Sequence, residues 1–259
     1  MKNDVMDMFQ LNGKVAWVAG GNGGIGSEVC KVVARAGARV AITGRNRERC
    51  RALTSEMSRD GFQVLALPGD MTRAPEVRKV AAQIERKWGA IDILINLVGG
   101  NARHDAQAYP EAEFRRILEL NLTSAFMLSQ AAGRRMIRKK YGKIVHFSSV
   151  RSLLGIHEGY TAYCASKGGL NLLTKQLATE WAKYGICVNA IAPTFINTEL
   201  GRDMLKNPEF HRYITRRIPL GRVGEPQDLV GATLFLVSPA SDFVTGQILF
   251  LDGGVTACQ

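Results

Sequence analysis

Seven short apolar runs recur along the chain with stretches of helical periodicity between them: Val15 to Ala19, Arg39 to Thr43, Gln63 to Leu67, Ile91 to Ile95, Lys143 to Phe147, Cys187 to Ile191 and Gln247 to Leu251. This alternation leaves few architectures, because parallel strands need crossovers and the crossover helices must cover both faces of the sheet. The expected fold is therefore α/β: a doubly wound, seven-stranded parallel sheet with helices on both faces, in a single domain over residues 1–259. No internal repeat, low-complexity tract or proline-rich linker marks a second domain. Sheets of this kind bind ligands beyond the carboxyl ends of their strands, where the strand order reverses. Gly20, Arg45, Asp70, Asn96 and Ser149 all fall at such ends.

The first of those ends is the most specific. The run Gly20-Gly21-Asn22-Gly23-Gly24-Ile25-Gly26 joins the apolar segment Val15 to Ala19 to a segment that places Val29, Val32, Val33 and Ala36 at helical spacing. Between strand and helix, glycines let the backbone approach a pyrophosphate, and the amides and dipole of the helix start favour its charge. This is a Rossmann-type dinucleotide signal. At the end of the second strand, Thr43-Gly44-Arg45-Asn46 offers no carboxylate for a ribose diol but presents Arg45, whose guanidinium suits a 2'-phosphate. NADP is the expected cofactor, ahead of NAD. The competing reading makes Arg45 the start of a basic helix with Arg47, Arg49 and Arg51.

Tyr163 and Lys167 are four residues apart and share a face if that segment is helical. A phenol titrates near a pKa of about 10, and a nearby cation favours its ionised form, so the pair can serve as a general acid and base. The spacing alone also occurs on solvated helix faces.

Taken in order, Gly20-x-x-x-Gly24-x-Gly26, Asn96-Leu97-Val98-Gly99, Asn121, Ser148-Ser149, Tyr163, Lys167, Asn189 and Pro193 make the chain resemble the short-chain dehydrogenases/reductases from about Leu11 to Gly254. The resemblance implies that Gly20, Asn22, Gly23, Gly24, Ile25 and Gly26 hold the cofactor phosphates and that Asp70 and Met71 meet the adenine. It further places Asn96, Val98, Gly99, Ile196 and Thr198 around the nicotinamide half. Tyr163 would be the proton donor, Lys167 its partner and a ligand of the nicotinamide ribose, Ser149 the residue orienting the substrate oxygen, and Asn121 the holder of a water beside Lys167. No metal is implied. Ser148 offers a hydroxyl that competes with Ser149. Leu97 stands where the family often has a second asparagine, Thr194 replaces a glycine after Pro193, and Gly23 stands where many NADP-using relatives carry a base.

The tail from Pro219 to Pro226 and from Phe243 to Gly254 looks like both the gluconate 5-dehydrogenase and the 3-oxoacyl carrier-protein reductase groups, and Lys206-Asn207-Pro208-Glu209 leans toward the former. The expected activity is an NADP(H)-dependent oxidoreductase interconverting a secondary alcohol and a ketone, on a polyol or sugar acid. The alternatives are reduction of a 3-oxoacyl thioester, with an acyl carrier protein as partner, and a non-catalytic NADP-binding sensor. Residues 199–222 resemble a substrate lid. Its Arg202, Lys206, Arg212, Arg216, Arg217 and Arg222 suit an anionic substrate or simply a solvated face, and Arg103, Arg151 and His157 lie near the expected pocket mouth.

Nucleic acid is not expected as a partner despite a net charge of +11, because the cluster Arg134, Arg135, Arg138, Lys139, Lys140 and Lys143 closes a helix and lacks interleaved aromatics. No stretch reaches the roughly 18 apolar residues of a membrane span, and five scattered cysteines form no Cys-x-x-Cys pair. A soluble cytoplasmic protein with reduced thiols is expected. The family resemblance implies a homotetramer.

Overall fold

The apolar runs become the strands of one parallel sheet. The computed structural model describes residues 4–157 and 159–258; residues 1–3, 158 and 259 of the expected domain lie outside them. The strands are β1 (Val15–Ala19), β2 (Arg39–Thr43), β3 (Val64–Ala66), β4 (Ile93–Asn96), β5 (Gly142–Phe147), β6 (Ile186–Pro193) and β7 (Ile248–Leu251), in the order β3-β2-β1-β4-β5-β6-β7. Every neighbouring pair is parallel. The order reverses between β1 and β4, which locates the switch point.

The helices are α1 (Gly24–Arg35), α2 (Arg47–Arg59), α3 (Ala74–Trp88), α4 (Glu111–Leu118), α5 (Ser124–Lys139), α6 (Thr161–Trp181), α7 (Glu199–Leu205), α8 (Pro208–Thr215) and α9 (Pro226–Val237). Because side chains alternate along a strand, β1 feeds two cores. Ala16 and Val18 pack with Val29 and Val33 of α1 and with Leu229 and Leu236 of α9, while Val15, Trp17 and Ala19 pack with α3 and α5 residues such as Ile84 and Leu128. All five β1 residues are buried, as expected of a strand covered on both faces. The indole of Trp17 is satisfied there by donating to the Thr43 hydroxyl at 3.1 Å.

Strand ends differ from the sequence reading by a residue or two; β4 starts at Ile93 rather than Ile91, and β6 continues to Pro193. One feature had no precursor in that reading. Between α4 and α5 the helix widens into a π turn over Glu119–Thr123, which contains Asn121.

Candidate active site

A cavity of about 900 Å³ opens at the carboxyl ends of the strands. Gly20, Asn22, Gly23, Gly24, Ile25, Gly26, Arg45, Asp70, Met71, Val98, Gly99, Ser149, Tyr163, Lys167, Ile196 and Thr198 all line it, so the sheet brings together residues from seven separate segments. Asn96 and Asn121 do not; they stand behind the wall and shape it.

The dinucleotide half depends on close backbone approach. Gly20 has φ +81°, and a Cβ there would lie 2.9 Å from the carbonyl carbon of Leu97. A Cβ on Gly26 would lie 2.3 Å from the Gly20 oxygen, so only glycine lets α1 start this close to β1. No side chain caps α1 at Gly23, which leaves its first turn facing the cavity as a site for an anion. Asn22 reaches across to donate to the Asn46 carbonyl at 3.1 Å, pinning the glycine loop to the segment that carries Arg45. Arg45 precedes α2, whose N-cap is Asn46, so it is exposed at the cavity edge rather than built into the helix. The carboxyl of Asp70 sits below the usual carboxylate range: burial opposes ionisation, but bonds from the Thr72 amide and hydroxyl and the fields of Arg45 and Arg73 outweigh it. An ionised Asp70 is an acceptor, as an adenine amino group requires. The glycine cradle, uncapped helix start and edge arginine fit a phosphorylated dinucleotide.

In the chemical half, α6 presents Tyr163 and Lys167 to the cavity one turn apart. The Lys167 ammonium is buried, donates to the Phe147 carbonyl at 2.7 Å and lies 5.7 Å from the centroid of the Tyr163 ring. Burial lowers its pKa to about 8. The phenol departs from the expectation of easy ionisation. Burial raises the Tyr163 pKa above its ordinary value, and a hydrogen bond with Ser149 only partly opposes this. Of the two candidate hydroxyls, Ser149 is the one bonded to Tyr163, and its oxygen also accepts from the Arg151 amide at 3.1 Å. Ser148 donates instead to the Asn171 side chain at 2.7 Å.

Asn121 clasps Gly100 through two bonds, accepting from its amide at 2.8 Å and donating to its carbonyl at 2.9 Å, and it donates to Ser166 of α6 at 2.9 Å. The π turn thus ties the segment after β4 to α6. Asn96 is buried and accepts from the Val98 amide at 3.0 Å. Its amide nitrogen lies 3.4 Å from Nδ1 of His146, whose Nε2 lies 3.2 Å from the Ser129 hydroxyl. Ser129 donates to the Ala125 carbonyl at 2.7 Å and so accepts from Nε2–H, leaving Nδ1 to accept from Asn96. A neutral imidazole is required. Burial, with a smaller contribution from Lys167, holds the His146 pKa down to about 3.

Of the two readings of the lid's charges, the solvated face fits most of them. Arg202, Lys206, Arg212, Arg216 and Arg222 do not line the cavity; Lys206 pairs with Asp203, and Arg222 grips Asp228 at the start of α9. An amphipathic helix puts its charges where water is, so the apolar faces of α7 and α8 turn inward instead. Arg217 does reach the wall, bonded to the Tyr213 hydroxyl. Arg103, held to Tyr160, and Arg151, donating to the Gly155 carbonyl at 2.9 Å, line it too, whereas His157 does not. Of the six cations at and just beyond the end of α5, four are in ion pairs: Arg135 and Arg138 with Glu85, Lys139 with Asp92 and Lys143, on β5, with Asp242. Sequence reasoning missed Arg49, which lines the cavity while pairing with Glu199 of α7 at 2.8 Å, and the apolar residues Phe195, Met204, Phe210 and Ile214. Among the described residues no group of three or more His, Cys, Asp or Glu side chains comes together to hold a metal, and no helix is long and apolar enough to cross a membrane.

Residues 19–256 match a family model described as enoyl-(acyl carrier protein) reductase. The chain is 36% identical over 249 residues to 5-keto-D-gluconate 5-reductase of Escherichia coli K12, covering 96% of this chain and 98% of that one. It is 38% identical over 250 residues to gluconate 5-dehydrogenase of Gluconobacter oxydans, covering 96% and 97%. Among solved structures, a gluconate 5-dehydrogenase from Burkholderia cenocepacia in complex with NADP and tartrate superposes with a TM-score of 0.94 at 36% identity, over 99% of this chain and all of the other.

Proposed function

The chain belongs to the short-chain dehydrogenase/reductase family, and from that premise we propose that it is an NADP(H)-dependent oxidoreductase interconverting a secondary alcohol and a ketone on a sugar acid. The observation that carries this reading is the convergence of Ser149, Tyr163 and Lys167 on the cavity that also holds the glycine cradle. The same convergence weighs against a sensor without turnover. The names of the relatives, together with NADP in the Burkholderia complex, favour a sugar acid over a thioester.

In this reading residues 20–26 hold the pyrophosphate, Arg45 the 2'-phosphate, Asp70 and Met71 the adenine, and Ile196 and Thr198 the carboxamide. The bound nicotinamide supplies or accepts the hydride. The protein aligns the carbonyl and manages the proton. Tyr163, kept protonated by burial, gives its proton to the carbonyl oxygen in reduction and takes it back in oxidation. Ser149, anchored by the Arg151 amide, donates to the same oxygen as charge develops on it. Lys167 is held by the Phe147 carbonyl where it can meet the nicotinamide ribose, and Asn121 keeps α6 in register with the floor at Gly100. Residues 199–222 act as the substrate lid, the protein works in the cytoplasm, and the chains assemble as tetramers.

Tyr163→Phe tests the assignment. NADPH affinity, measured by fluorescence titration, should stay within about twofold while kcat falls by roughly a thousandfold, the range of a lost general acid. Equal loss of binding and turnover would make Tyr163 a structural residue.

A further inference from the structure

The face of α6 that carries Tyr163 and Lys167 continues one turn further to Asn171, since residues at i, i+4 and i+8 fall in one stripe. This stripe grips the end of β5 at three successive residues. Lys167 donates to the Phe147 carbonyl at 2.7 Å, Asn171 accepts from the Ser148 hydroxyl at 2.7 Å, and Tyr163 is bonded to Ser149. Asn171 also reaches Ser149 by a second route. Its amide donates to the Ser152 hydroxyl at 2.7 Å, and that hydroxyl donates to the Ser149 carbonyl at 2.6 Å. A hydroxyl has one proton, so Ser152, having given its own to the carbonyl, can only accept from Asn171, and the Asn171 oxygen is left to face Ser148. The side chain is thereby held in one orientation. Asn171 does not line the cavity, whereas Ser148 and Ser149 do.

These bonds matter because the two serines are neighbours on a strand that is ending. Ser149 has extended backbone, at φ −167° and ψ 159°, and the 3-10 turn Val150–Ser152 begins immediately after it. A rotation at that junction would turn the Ser149 hydroxyl away from the phenol. The Lys167 bond stops short of the junction, at Phe147, but Asn171 spans it, with Ser148 on one side and Ser152 on the other. Resting on the reading of Ser149, Tyr163 and Lys167 as a carbonyl-reducing centre, we propose that Asn171 is a positioning residue for that reaction: by spanning the junction it aims the Ser149 hydroxyl at the carbonyl oxygen, and it withdraws the Ser148 hydroxyl from competition. It touches neither substrate nor cofactor. Its effect on the reaction passes through Ser149.

A double-mutant cycle reads that dependence. The quantity is the single-turnover rate of NADPH oxidation with 5-keto-D-gluconate, the keto acid in the name of the Escherichia coli relative, so that slow product release cannot mask the chemical step. Asn171→Ala should lower this rate by roughly tenfold or more, as misplacing a reacting group does, while the Kd for NADPH stays within about twofold. In a Ser149→Ala background the same substitution should change the rate by less than about twofold, because no hydroxyl remains to be aimed. Ser152→Ala, which cuts the link at its middle and leaves α6 intact, should show the same pattern, and it decides the matter if Asn171→Ala does not fold. An equal loss in both backgrounds, or no loss in either, overturns the positioning role and leaves the reductase reading standing. Full rate in Ser149→Ala, or no reduction of the keto acid by wild type, overturns that reading and the proposal with it.

Discussion

At the level of single residues, the balance at Tyr163 is decided by burial. A cation one turn away favours a phenolate, but the ammonium of Lys167 is directed to the Phe147 carbonyl and is itself pushed down to about 8 by the same burial. The phenol therefore stays protonated at neutral pH, which is the form that donates to a carbonyl oxygen. Arg45 is the other residue whose setting decides a role. It lies outside α2, at the cavity edge, with its field felt by Asp70. Arg45→Ala should raise the Kd for NADPH by roughly ten- to a hundredfold, the worth of a charge-assisted phosphate contact, and leave NADH nearly unchanged; equal effects in a competition titration would return Arg45 to a helix-flanking role. That Tyr163, Lys167 and Arg45 would line the cavity was legible because their chemistry and local spacing lie in one short segment each. Arg49 was not, since its ion pair with Glu199 joins the start of α2 to the lid across the fold. Nor did sequence spacing choose between Ser148 and Ser149; that took the direction in which each hydroxyl turns as β5 ends.

Between elements, the strands were readable because residues covered on both faces are apolar in unbroken runs, and the glycine loop because its flanks have the right periodicity. The π turn at Asn121 left no such mark, as it changes the helix bonding without changing the apolar pattern. The lid's charges were visible, but their outward direction depends on which face of α7 and α8 meets the cavity. His146 shows a further layer. It links β5 to α5 through Ser129 and to β4 through Asn96, which in turn holds the Val98 amide at the cavity floor. With a folded pKa near 3 against an ordinary 6.5, the unfolded chain binds the extra proton between those values, so His146 costs stability as pH falls through that window. The slope from this group approaches about 1.4 kcal/mol per pH unit. His146→Asn, which can offer one donor and one acceptor at every pH, should give a shallower fall in Tm from pH 7 to pH 4.5 than wild type. Parallel Tm curves would mean that the ring does not stay neutral in the fold.

For the whole molecule, two of the places that expose apolar side chains lie on long or terminal elements of the fold. On α6, Ala165 and Leu172 are exposed a heptad apart with the half-buried Gly168 and Gly169 between them, and Leu172 is 69% exposed. Phe126, on α5, is 44% exposed. The second place is near β7, where Phe243 is fully exposed and Leu249 is 37% exposed. A monomer rarely leaves several large apolar side chains in water without a use for them, and small residues between them allow a second helix to come close. Were each place to pair with its own copy across a twofold axis, the two kinds of contact would together close a tetramer with dihedral symmetry. Light scattering at micromolar concentration should therefore give four times the 28.3 kDa chain mass. Leu172→Glu should stop assembly at one dimer and Phe243→Glu at the other, while the double variant should run as a monomer. The glycine loop, Arg45, Asp70 and Met71 line the cavity of each chain, so each dimer should keep its NADPH affinity. A wild-type monomer, or single variants that both remain tetrameric, would show that these patches serve something other than self-association.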